Sequence, residues 1–130
     1  MTACRPISGF MRRRVIGIET EYLICFIPAR KDPPRWLLLY AVEEGVLRTL
    51  PVCEAQGGGY FLPNGGAVSF ESRLERRDNP VLELATPECS DALEVVRYIR
   101  AQEVFLNNVA AKAEAILLRH GFPGWVIFLR

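Results

Sequence analysis

Residues 15–27 form an apolar run of Ile, Val, Phe and Tyr, broken only by Gly17, Glu19, Thr20 and Glu21 within its apolar frame. Such β-branched and aromatic composition predicts a strand, and a central one. Side chains alternate across a strand, so Glu19 and Glu21 share one face while Ile16, Ile18, Thr20 and Tyr22 share the other. A polar, proline-containing loop follows over 28–34. Pro33 and Pro34 suit a helix start, where the first N–H groups lack internal partners anyway. A helix is predicted over 36–50, with Glu43 and Glu44 on its polar side and Pro51 as its stop.

Residues 52–59 read as a flexible loop ending in glycines. Tyr60 to Leu62 is a short strand, and Pro63-Asn64-Gly65-Gly66 is a turn, because Asn and Gly accept positive φ. Ala67 to Glu71 returns as the partner strand, with Ala67, Ser69 and Glu71 on one face. Residues 72–80 are charged and irregular, which predicts an exposed excursion. Val81 to Thr86 is a further strand with Glu83 at its middle.

Ser90 is the expected helix N-cap, with Asp91 and Glu94 in the first turn. The helix is predicted over 91–120. Its apolar stripe is Leu93, Val96, Ile99, Val104, Leu106, Val109, Ala113, Ile116 and Leu117, with a weak point at Asn107 and Asn108. Gly121 and Pro123 end it. Trp125 to Arg130 is a last strand, and an unpaired apolar edge there is an aggregation hazard. The expectation is a fragment of a longer protein, or a chain that pairs with another.

The predicted fold is α+β: a curved, mainly antiparallel sheet with helices packed on one face. A length of 130 residues fits one domain or part of one. Residues 1–11 read as a flexible leader, with Met11 an alternative start, and 12–130 as the folded unit. Lys plus Arg is 16 against 15 for Asp plus Glu, which argues against wholesale nucleic-acid or membrane-surface binding. Arg12, Arg13 and Arg14 make a local basic lead-in, solvated or phosphate-contacting. Cys4, Cys25, Cys53 and Cys89 are too far apart in sequence for a CxxC motif, so reduced thiols in a cytoplasmic protein are expected. No secretory signal or membrane-spanning run is legible.

The candidate chemistry lies with Glu19, Glu21, Glu71 and Glu83, which alternation places on matching strand faces. Two readings stand. Carboxylates converging on one sheet suit one or two Mg2+ ions bridging nucleotide phosphates. Equally, glutamates are ordinary on the solvated face of a half-exposed strand. No GxxxxGK[ST] loop is present, and Gly57-Gly58-Gly59 lacks the strand-then-helix context of a phosphate cradle. His120 lies at a helix C-terminus, where partial positive charge meets the last carbonyls. A single histidine leaves little room for zinc, and the serines have no histidine partner for a triad.

The segment Arg14-Val15-Ile16-Gly17-Ile18-Glu19-Thr20-Glu21-Tyr22 resembles the opening strand of the Pup ligase and Pup deamidase family. The hairpin Phe61-Leu62-Pro63-Asn64-Gly65-Gly66-Ala67-Val68-Ser69-Phe70-Glu71 is similar to a second family strand, and Leu82-Glu83-Leu84-Ala85-Thr86-Pro87-Glu88-Cys89 to a third. The order and spacing of the motifs cover most of residues 12–130. The resemblance implies the N-terminal part of a glutamine synthetase-like fold and an ATP- and Mg2+-dependent carboxylate–amine ligase. There a glutamate carboxylate of the ubiquitin-like modifier Pup is activated as an acyl phosphate, and a protein lysine amine attacks it. The deamidase branch hydrolyses instead.

Residue by residue, the resemblance makes Glu19 and Glu83 Mg2+ ligands, with Glu21 beside them, and Thr86 an ATP contact. Glu71 stands at the position of a catalytic aspartate base, Ala67 at that of an ATP-contacting arginine, and Ser69 at that of a metal-site tyrosine. The longer side chain of Glu71 moves the carboxylate by ~1.5 Å, a displacement that costs rate. The 72–80 excursion is also longer than in usual members. These departures imply a divergent branch, or a binding module without activity.

Overall fold

The structure, a computed structural model, describes residues 15–55, 58–71 and 79–130. The expected leader, the Arg12–Arg13–Arg14 cluster, Gly57 and residues 72–78 of the predicted excursion lie outside the described residues. The element order is β1 (Glu19–Pro28), α1 (Arg35–Leu47), β2 (Cys53–Glu54), β3 (Tyr60–Phe61), β4 (Ala67–Glu71), β5 (Val81–Ala85), α2 (Ala92–Arg119) and β6 (Gly124–Leu129). Among the described residues, the strands form one six-stranded sheet in the order β2-β3-β4-β5-β1-β6. Every pairing is antiparallel. The mixed α and β architecture, an open antiparallel sheet with two helices, is the predicted fold class.

β1 alternates as its sequence predicts. Thr20, Tyr22 and Ile24 are buried, and Glu19, Glu21 and Leu23 are exposed. The buried face continues across the sheet through Leu82 and Leu84 of β5 and Val68 of β4. Both helices cover this face: Leu37, Leu38, Ala41, Val42 and Val46 of α1 and Phe105, Leu106, Val109, Ala113, Ile116 and Leu117 of α2 share one core with it. Among the described residues, the opposite face carries no helix. Leu23, Ile27, Trp125 and Leu129 lie half exposed there in cross-strand pairs.

The helices touch closely at Gly45. A Cβ at this position would lie 2.8 Å from the Val109 carbonyl oxygen, on backbone that cannot rotate away. Gly45→Ala gains about 1 kcal/mol of helix propensity, but overpacking costs about 1–3 kcal/mol. We therefore expect a net loss of stability, measured as a lower urea midpoint. A midpoint equal to or above wild type would show that the helices separate freely.

Several local expectations need correction. The ladder of β1 starts at Glu19 rather than Val15, and among the four preceding residues Ile16 makes an isolated bridge with Cys89. α1 stops at Leu47, before Pro51 is reached, and Thr49 bonds back to the Gly45 carbonyl through Oγ1 at 2.7 Å. The Lys112 ammonium then donates to the same Oγ1 at 3.0 Å, tying this turn to α2. The expected loop over 52–59 contains strand β2, paired with β3.

The N-cap of α2 is Asp91, not Ser90. Asp91 Oδ1 accepts from the Glu94 amide at 2.8 Å, while Glu94 Oε2 accepts from the Ser90 amide at 2.7 Å. This is a capping box shifted by one residue. The helix runs unbroken through Asn107 and Asn108, and Asn108 Nδ2 donates to the Val104 carbonyl at 3.0 Å. Leu93, Val96 and Val104 of the predicted stripe are exposed, and Val95, Gln102 and Phe105 are buried instead.

Candidate functional site

The β3–β4 hairpin brings the altered positions to the sheet. Gly65, at φ +86°, takes the left-handed conformation of the turn. Asn64 Oδ1 accepts the Gly66 amide at 2.9 Å, and the Leu62 amide donates to the Gly66 carbonyl at 2.9 Å. At the other end of β3, the backbone of Gly59 approaches Ser69 so closely that a Cβ there would meet the Ser69 Cβ at 3.1 Å. Tyr60 anchors the hairpin to α1, its hydroxyl donating to Glu43 Oε1 at 2.6 Å. That bond, with burial and nearby carboxylates, pushes the Tyr60 pKa up to about 12.

Residues directly opposite in an antiparallel ladder project to the same face. The registers therefore lay out the helix-free face in rows. Ser69 of β4, Glu83 of β5 and Glu21 of β1 form the middle row. Ala67, Ala85 and Glu19 form the row on one side; Glu71, Val81 and Leu23 form the row on the other. Glu83 thus has Glu21 opposite, at a Cβ separation of about 5 Å, and Glu19 and Glu71 on its diagonals at about 7–8 Å.

Burial pushes the Glu83 carboxyl pKa up, and the charges of Glu19, Glu21 and Glu71 push it further in the same direction. Fields of this kind attract cations. Carboxylates and a serine hydroxyl are oxygen donors, the chemistry that Mg2+ takes. In donor type, then, the residues fit a hard divalent cation. Among the described residues, no group of three or more Asp, Glu, His or Cys side chains is already gathered to hold a metal ion. Like charges on adjoining strands repel, and these glutamate side chains have the rotamer freedom to swing inward.

Thr86 stands just beyond β5. It is 8% exposed, its amide donates to the Ile18 carbonyl at 2.9 Å, and its Oγ1 accepts from the Ile18 amide at 3.0 Å. A cavity of ≈ 360 Å³ opens beside it, lined by Gly17, Ile18, Glu19, Ala85 and Thr86. Ala67 faces this end of the sheet, with only a methyl group to offer.

Elsewhere the chemistry is sparse. His120 is the C-cap of α2 and exposed. Cys25, Cys53 and Cys89 are free thiols. Among the described residues, no helix is long and apolar enough to cross a membrane. Two features escaped the sequence: the Tyr60–Glu43 bond and the Thr86–Ile18 exchange. Neither pairing leaves a periodic signal, although a glycine next to Tyr60 marks the close approach of β3 to β4.

No family model matches the chain. It is similar to the Pup–protein ligase of Corynebacterium efficiens, 30% identical over 99% of this chain and 24% of the relative. It is also similar to the Pup–protein ligase of Renibacterium salmoninarum, 35% identical over 92% of this chain and 24% of the relative. In structure it resembles a chain of the crystal structure of the complex between prokaryotic ubiquitin-like protein Pup and its ligase PafA. That likeness has a TM-score of 0.65 at 25% identity and covers 89% of this chain and 21% of the other. The chain therefore spans about a quarter of the length of the curated relatives that it matches.

Proposed function

Since this chain belongs to the Pup ligase family and spans about a quarter of its members' length, we propose that it supplies the metal-binding sheet of an ATP- and Mg2+-dependent carboxylate–amine ligase. The observation that carries this reading is the row Ser69–Glu83–Glu21, with Glu19 and Glu71 on its diagonals and the Glu83 pKa raised by its neighbours. Glu19, Glu83, Glu21 and Ser69 would hold Mg2+. Thr86 and Ala67 border the end of the sheet where nucleotide would lie. Mg-ATP, when bound, supplies a transferable phosphoryl group and a cation that neutralises its charge.

The chain's own contribution is positioning and proton handling. The sheet holds the backbone of its acidic residues on one face, so only side-chain torsions remain to be ordered around a cation. Glu71, exposed at the end of β4, is the group that would take a proton from an attacking lysine ammonium. The substrates of this reading are the glutamate carboxylate of a Pup-like modifier and a protein lysine, joined in the cytoplasm. Residues 12–130 then form part of the catalytic domain.

A second reading is a binding module without activity. Ala67 and Ser69 favour it, because a methyl and a short hydroxyl stand where the resemblance implies an arginine and a tyrosine. The test uses the intact protein with ATP, Mg2+, a glutamate-ended modifier and a lysine acceptor. Expected is ADP formation matched by an adduct of the summed masses less one water, both lost on chelating Mg2+. Ammonia released from a glutamine-ended peptide without acceptor assigns the amidase branch. Neither ADP nor nucleotide binding at millimolar Mg-ATP assigns the binding module.

A further inference from the structure

Regular pairing of β1 with β5 runs from Leu23 opposite Val81 to Glu19 opposite Ala85. In the same register, Ile18 would face Thr86 and Ile16 would face Glu88. Ile16 pairs instead with Cys89, through N–H···O bonds of 2.9 and 2.8 Å in the two directions. One extra residue therefore sits on the β5 side between Thr86 and Cys89, the arrangement of a β-bulge. Here the Ile18 amide is accepted not by a main-chain carbonyl but by Thr86 Oγ1, at 3.0 Å. The reciprocal bond, Thr86 amide to Ile18 carbonyl at 2.9 Å, is kept.

We propose that Thr86 is a positioning residue of the acidic face: its hydroxyl stands in for a ladder carbonyl, closes the bulge, and so fixes Glu19 in its row beside Glu83. This rests on the metal-binding reading above. Ile18 and Glu19 are adjacent in the chain, so the amide that Thr86 holds sets the backbone from which the Glu19 carboxylate projects. Burial supports the assignment, since Thr86 is 8% exposed and its oxygen already accepts a bond. Without that acceptor, the Ile18 amide would face the ≈ 360 Å³ cavity that Ile18, Glu19 and Thr86 line. The first residues of β1 would then fray. The role differs from a direct hydroxyl contact to nucleotide, because it operates on the metal site with no nucleotide present.

The test is Mn2+ binding, read by electron paramagnetic resonance on the intact protein without nucleotide. Amide exchange of Ile18, Ile24 and Leu84 is followed in parallel. Thr86→Val is expected to weaken Mn2+ binding by about 10–100-fold, the range for groups that orient a ligand. It is also expected to speed Ile18 exchange while leaving Ile24 and Leu84 protected. Thr86→Ser, which restores the hydroxyl, is expected to recover both. If Thr86→Val loses protection at Ile24 and Leu84, Thr86→Ala is read in its place.

Faster Ile18 exchange with unchanged Mn2+ affinity overturns the positioning role alone. Unchanged Mn2+ affinity in Glu19→Gln overturns the metal reading, and the positioning role with it. Failure of Thr86→Ser to recover binding also overturns the proposal, since the hydroxyl would then not be the operative group.

Discussion

Glu83→Gln in the intact protein is expected to lower Mg2+-dependent ATP turnover on the order of 100-fold and, at neutral pH without metal, to raise the melting temperature. Both effects come from one place in the sheet. Glu83 is the middle of its row and the carboxylate that its neighbours oppose, with burial and the charges of Glu19, Glu21 and Glu71 all raising its pKa. Neutralising it relieves that opposition and removes a donor from the cation. Glu19→Gln is expected to lower turnover similarly and to bring the Glu83 pKa back toward its ordinary value. Undiminished turnover in both variants would sink the metal reading.

The pH dependence has a definite sign. An acid whose folded-state pKa is raised carries more protons folded than unfolded over the interval between the two values. Stability therefore falls as pH climbs through that interval. The metal-free protein is expected to be most stable, in this respect, on the acid side of the ordinary glutamate range. It should lose that increment as pH rises through the raised Glu83 value. Urea midpoints across this range should slope downward in wild type and less so in Glu83→Gln. An upward slope in wild type would show that a cationic partner, rather than the other glutamates, dominates the surroundings of Glu83.

Leu84→Ala is the second large effect. Leu84 is fully buried, with Thr20 of β1 and Val68 of β4 opposite it on the core face. Truncation there is expected to cost about 2–5 kcal/mol, a large part of the roughly 5–15 kcal/mol that holds a typical domain together. By contrast, Val96→Ala on α2 is expected to stay within about 0.5 kcal/mol, because Val96 is 53% exposed. Both are read from denaturation midpoints. Comparable losses at the two positions would mean that another polypeptide covers the outer face of α2.

The contrast bears on what a sequence can reveal. Along β1, one-sided burial imposes a period of two, so the faces of Glu19, Thr20, Glu21 and Tyr22 were legible from order alone. The hairpin was legible through Asn64 and Gly65, since few residues accept positive φ. The buried face of α2 was only partly legible. A helix advances 100° per residue, so Val104 and Phe105 point in clearly different directions, and neighbours rather than local pattern choose between them. α1 buries positions next to Val109, and Phe105 follows on that face while Val104 is left outside.

The acidic face divides in the same way. That Glu19, Glu21, Glu71 and Glu83 sit on one side follows from alternation within each strand. That Glu83 faces Glu21 and Ser69, and not Glu19 or Glu71, depends on register. A slip of one residue in either ladder would move a whole strand's acidic set to the other face. Strand β2 was illegible because two residues carry no period.

The most direct test of the acidic face is calorimetric titration of Mg-ATP into the intact protein, alongside Glu83→Gln. Saturable binding to wild type that requires Mg2+ and is lost or strongly weakened in the variant is expected. No binding at millimolar Mg-ATP, or equal affinity in the two proteins, would contradict the metal reading.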